Sequence, residues 1–223
     1  IENKVKVCDW FSVNKTVVEK KVALVIGNEN YKQNELVNPV NDAKLIHKTL
    51  DDIGVDTILF CTNIGLDSMY IVMQEFYNLS AEYDISIIYF AGHGIQDDFG
   101  NSYLIPVDFK HYFNSDSLEG FSLSLTKTLS YFTENQNKIL CIIDACRSTM
   151  NNGFGNSPKL EIFNNVQIIF STSYGHVAYD NPDNKNSFFT EELSKNLYVK
   201  DNSVDDVFRQ TRNKVYSKSF QKQ

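Results

Sequence analysis

Five apolar runs of strand length punctuate the chain, and the stretches between them carry polar and apolar residues at helical spacing. "KVALVIG" (Lys21 to Gly27), "TILFC" (Thr57 to Cys61), "ISIIYFAG" (Ile85 to Gly92), "KILCIIDAC" (Lys138 to Cys146) and "VQIIFSTS" (Val166 to Ser173) read as strands. Near-continuous apolar runs of this kind suit strands covered on both faces. The spacing predicts helices over about Pro39 to Ile53, Asp67 to Ser80 and Leu118 to Tyr131, and two more near Phe188 to Leu197 and Val204 to Tyr216 close the chain. In the second helix Met69, Val72, Met73, Phe76 and Leu79 share one face, which is a core face. Strands alternating with helices predict parallel strands joined by crossovers, so the fold class is α/β: a three-layer α/β/α sandwich around a mostly parallel central sheet. We expect one domain over residues 21–223, preceded by a lead segment, 1–20.

Composition narrows the function classes. The 223 residues are 42% hydrophobic, enough for one sizeable core. No uninterrupted apolar run approaches membrane-spanning length, and "IENKVKVCDW" lacks the apolar centre of a secretory signal, so no membrane role is expected. A net charge of -7 opposes nucleic-acid binding, which needs a basic face, and leaves room for a cationic substrate. Cys8, Cys61, Cys141 and Cys146 show no paired metal spacing with histidine; reduced thiols, a cytoplasmic location and no metal or cofactor are expected. The loops "RSTMNNGFGNSPK" and "HVAYDNPDNKN" follow the fourth and fifth strands, and in open parallel sheets such loops border the ligand site.

Two strands end in residues able to do chemistry. "IIYFAGHG" delivers His93 and "CIIDAC" delivers Cys146 to the same edge of the sheet, because parallel strands put their carboxyl ends together. Neighbouring strands lie about 4.8 Å apart, within range for an imidazole and a thiol to meet. Cys146 is then a nucleophile and His93 the proton carrier for amide hydrolysis. The Gly94 and Cys146 amides are candidate oxyanion donors, Gly92 and Gly94 letting the backbone approach a ligand. A histidine or cysteine at a strand end ordinarily just packs, and Cys61 and Cys141 are read that way. No third residue that orients His93 is identifiable.

"YFAGHG" with "IIDACRS" resembles the caspase-like cysteine peptidases, whose signature places a histidine about 50 residues before Q-A-C-[RQG]-G. Here the motif reads D-A-C-R-S, departing at Asp144 and Ser148. "VALVIGNENYKQNELVNPVNDAKLI" looks like the opening shared by metacaspases and paracaspases, and "FGNSYLIPVD" like the paracaspase branch. The resemblance implies an endopeptidase with a His93/Cys146 dyad and one charged pocket. It implies a carboxylate pocket of Asp42, Asp144 and Asp180 that holds an Arg, or secondarily a Lys, before the scissile bond. Empty carboxylates repel one another and a guanidinium relieves that with forked hydrogen bonds. The backbone around Ala178 would pair with the substrate as an added strand. Two rivals stand beside this: a calcium-dependent metacaspase-type peptidase, motivated by the acidic "QDDFGN", and a non-catalytic caspase-like scaffold. Monomer and homodimer are both open.

Overall fold

The computed structural model describes residues 19–32, 34–97, 100–110, 115–145, 148–149, 165–172 and 185–219. Its central sheet is built from β1 (Lys21–Gly27), β2 (Thr57–Thr62), β3 (Ile85–Gly92), β7 (Lys138–Ala145) and β9 (Val166–Phe170). They run parallel in the order β2-β1-β3-β7-β9. Helices α1 (Pro39–Asp52), α2 (Leu66–Ser80), α5 (Phe188–Leu197) and α6 (Val204–Lys218) flank it. This is the expected three-layer sandwich.

The two-residue period of the strands divides the core in two. In β1, Ala23 and Val25 face the side of α1, α5 and α6, whereas Val22, Leu24 and Ile26 face that of α2. In β7, Leu140 and Ile142 take the first side, and Ile139, Cys141 and Ile143 the second. Continuing that alternation places Asp144 on the side of α5. The predicted α2 face is confirmed: Met69, Val72, Met73 and Phe76 are buried, with Leu79 partly buried against the same cluster.

Two features depart from the sequence reading. The single helix expected over Leu118 to Tyr131 is two, α3 (Ser115–Phe121) and α4 (Leu125–Phe132), separated by the short strand β6 (Leu123–Ser124). Pairing of Leu123 with Leu104 and Ser124 with Tyr103 outweighs helical continuity there, and the Ser124 hydroxyl then caps α4 by accepting from Lys127 N at 3.4 Å. The second is a small sheet, β6-β5-β4-β8, in which β4 is Gly94–Gln96, β5 Ser102–Leu104 and β8 Ser148–Thr149. Strands of two or three residues carry too little periodicity to be read from the chain. Among the described residues no helix is long and apolar enough to cross a membrane.

Candidate active site

The two sheets meet at His93. β3 ends at Gly92 and β4 begins at Gly94, so the histidine is the single residue between them. The neighbouring strand divides in the same way, β7 ending at Ala145 and β8 beginning at Ser148. Gly92 pairs with Ala145 in the large sheet and Ile95 with Ser148 in the small one, both in parallel and both 53 positions apart. Cys146, Ala178 and Asp180 lie outside the described residues.

His93 is half-buried, and its Nε2 lies 2.6 Å from the backbone carbonyl of Asn34, a residue with φ of 58° in the left-handed region. A carbonyl only accepts, so this contact puts the proton on Nε2 and makes Nδ1 the basic nitrogen. Tyr31 packs its ring against the imidazole, centroids 4.4 Å apart and tilted by 54°. Its hydroxyl accepts from His93 N at 2.9 Å and donates to the Ile105 carbonyl at 3.1 Å. Ile105 N in turn donates directly to the His93 carbonyl at 3.0 Å. By the alternation of antiparallel ladders, Gly94 and Leu104 then form a pair whose peptide groups face away from each other, so the Gly94 amide points away from β5. Neither Asn34 nor Tyr31 stands out in the sequence; the available signal was an aromatic residue inside the polar loop "NENYKQNE", where a buried role is the reason to spend one.

Asp42 and Asp144 come from distant elements and meet at the amino end of α5. Gly27 closes β1 so tightly on α1 that an added Cβ would sit 2.6 Å from the Pro39 carbonyl oxygen and 2.7 Å from the Ala43 Cβ. That packing sets the first turn of α1, and with it Asp42, against the carboxyl ends of the strands. Ser187 joins the two acids: its N–H donates to Asp42 Oδ1 at 2.9 Å, and its hydroxyl donates to Asp144 Oδ2 at 2.7 Å. The same hydroxyl caps α5 by accepting from Thr190 N at 3.1 Å. Asn186 Nδ2 adds a donor to Asp42 Oδ1 at 2.9 Å, and the Thr190 hydroxyl one to Asp144 Oδ2 at 2.8 Å. Tyr89 lies beneath, its hydroxyl 2.5 Å from Thr190 Oγ1. Both acids are buried. Burial pushes the Asp144 carboxyl above the ordinary range, despite hydrogen bonds from Ser187, Thr190, Ser171 and Tyr89 that pull the other way. Burial, then the charges of Asp144 and Asp42, push the Tyr89 phenol well up. Ser187 was legible as a helix cap before "FFTEEL", though its tie to the acids was not.

The described thiols are not activated. Burial pushes Cys141 up to about 12, and burial followed by the charge of Glu75 raises Cys61; both are free. Asp97, in the acidic stretch considered for calcium, accepts from Asn101 N and Asn101 Nδ2, each at 2.8 Å, and from the Tyr103 hydroxyl at 3.2 Å. These bonds close the β4–β5 turn. Among the described residues no cluster of three His, Cys, Asp or Glu suits a metal ion.

A family model described as the caspase domain matches residues 20–223. The chain belongs to the caspase-domain family. Within that family it is similar to the human mucosa-associated lymphoid tissue lymphoma translocation protein 1, at 26% identity over 177 residues. The match takes in 76% of this chain and 20% of the human protein. The mouse homolog of that protein is 26% identical over 172 residues, 74% of this chain and 20% of its own length. This caspase domain therefore spans about a fifth of the curated relatives it matches.

Proposed function

We propose that this caspase domain is a paracaspase-type cysteine endopeptidase that cleaves peptide bonds after Arg, secondarily Lys, in a reducing, cytoplasmic compartment. His93 and Cys146 form the dyad, and Asp42, Asp144 and Asp180 receive the substrate cation. The observation that carries the reading is the strand register. Residues on either side of His93 pair with residues on either side of position 146 at an offset of 53, and 53 also separates His93 from Cys146 in the sequence.

In the proposed reaction the Cys146 thiolate attacks the scissile carbonyl carbon, and the Gly94 and Cys146 amides donate to the resulting oxyanion. His93, protonated on both nitrogens, gives its Nδ1 proton to the departing amine while Asn34 keeps the Nε2 proton in place. The C–N bond breaks and a thioester remains. Water then attacks the thioester carbon, His93 takes its proton, and the thiolate leaves with the pair of electrons from the C–S bond. The backbone around Ala178 aligns the extended peptide. Asp42 and Asp144, held by neutral donors from Ser187, Asn186 and Thr190, bring negative charge that a guanidinium matches.

The test is a fluorogenic peptide series differing only before the cleavage point, Arg, Lys, Asp or Leu, on the native chain and on Cys146→Ala, with and without chelator. Turnover of the Arg peptide, weaker turnover of Lys, none by Cys146→Ala and indifference to chelator are expected. Preference for Asp overturns the pocket; turnover by Cys146→Ala overturns the dyad; loss of activity on chelation favours the calcium-dependent type.

A further inference from the structure

We propose that Tyr31 is a positioning residue for His93: its hydroxyl, interposed in the β4–β5 ladder, holds the histidine off β5 and sets where the imidazole stands. This rests on the reading of His93 as the proton carrier.

In an unbroken antiparallel ladder His93 and Ile105 would exchange two direct backbone bonds. Only one is direct, from Ile105 N to the His93 carbonyl at 3.0 Å. The return bond runs through the phenol, from His93 N to the Tyr31 oxygen at 2.9 Å and from that hydroxyl to the Ile105 carbonyl at 3.1 Å. Two hydrogen bonds and an oxygen thus stand where one bond of about 2.9 Å would close the strands. The wedge is built in from several sides. A Cβ added at Gly92 would lie 2.5 Å from the Tyr31 oxygen, so the residue before the histidine leaves room for the phenol. Asn28, fully buried, sends Nδ2 toward the same Ile105 carbonyl at 3.5 Å, and its own N–H is held by Ala91 O at 2.9 Å. The Tyr31 ring also flanks the imidazole at 4.4 Å. Burial pushes the phenol far above its ordinary range, so it stays protonated and keeps donating to Ile105 while accepting from His93.

A phenylalanine would fill the same volume and supply no oxygen. The His93 N–H then loses its acceptor and the Ile105 carbonyl keeps only the 3.5 Å contact from Asn28 Nδ2, so the two bond to each other and His93 is drawn toward β5. Displacements of about 1 Å at a reacting group lower rates about 100-fold. The Tyr31 hydroxyl bonds to His93 and Ile105 rather than to the acids beside α5, so substrate binding should hold.

The experiment uses the full chain as parent, Tyr31→Phe, Tyr31→Leu, His93→Ala and Cys146→Ala, with an Arg peptide. Tyr31→Phe should lower kcat about 10- to 100-fold with KM within about twofold of the parent, and Tyr31→Leu, which also loses the ring, should lower it further. Parental kcat in Tyr31→Phe, or KM rising in proportion as kcat falls, overturns the proposal. If His93→Ala turns over at the parental rate, the dyad reading itself has failed; if His93→Ala is dead and Tyr31→Phe is not impaired, only the role of Tyr31 has. The Cys146→Ala chain, with Tyr31 and His93 intact, gives a reading that needs no Tyr31 variant to fold. In its isotope-labelled form a slowly exchanging Tyr31 hydroxyl proton should show a cross-peak to the His93 amide. A His93 amide without that cross-peak, exchanging at loop rates, overturns the proposal.

Discussion

Folding and the proposed binding of a substrate cation ask opposite things of Asp144. Burial lifts its carboxyl above the ordinary 3.8, so the unfolded chain gives up this proton more readily than the folded one. Its contribution to stability is therefore full below about 3.8 and is lost as pH rises through the elevated folded value. Asp144→Asn keeps an oxygen for Ser187 and Thr190 without the charge. We expect its Tm to exceed the parent's by about 2–4 °C at pH 7.5, as about 1 kcal/mol does in chains of this size, and the gap to close toward pH 4. Cleavage of the Arg peptide should fall at least about tenfold, since a neutral amide cannot answer a guanidinium. Thermal unfolding at the two pH values checks the sign; a lower Tm at both would mean that the charge is matched within the fold. His93, Asp42 and Asp144 were visible as residues because each sits at a strand end or in a first helical turn. What they touch was not visible, since Tyr31, Asn34 and Ser187 reach them across separations of 59 residues or more in the pairs His93–Asn34 and His93–Tyr31, and of 43 or more in the pairs of Ser187.

At the level of elements, α5 carries more than packing. Its cap residue binds both acids, so the start of the helix and the two carboxylates proposed to receive the substrate cation are one hydrogen-bonded unit. Ser187→Ala removes the cap and the donor to Asp144 together. Loss of such a cap costs about 1 kcal/mol, a fall in Tm of about 2–4 °C. KM for the Arg peptide should rise several-fold with kcat little changed, and Ser187→Thr should restore both; a change confined to Tm would separate the cap from the pocket. Long periodic elements were readable to within a residue or two, as β1 and β3 show, because each repeats one pattern over seven or eight positions. The break between α3 and α4 was not, because a two-residue strand decides it through its partner β5 rather than through its own sequence.

For the whole molecule, the register shared by the two sheets matters more than any single contact. The central strands β3 and β7 keep their pairing up to Gly92 and Ala145, and the small sheet takes it up again with the same offset. His93 is thereby anchored on both sides by backbone bonds rather than carried on a loop. That arrangement suits the proposed role of His93, whose place must not drift during two successive proton transfers.

Ser187 has a last consequence, of a thermodynamic kind. Because one residue begins α5 and grips both acids of the proposed pocket, occupancy of that pocket would be linked to the docking of the helix, each favouring the other. An Arg-terminated peptide aldehyde at about 100 times its dissociation constant should protect the fold by about 2.7 kcal/mol, and amide exchange should slow in α5 in particular. A ligand that inhibits but leaves exchange in α5 untouched would show that the helix is indifferent to what the proposed pocket holds.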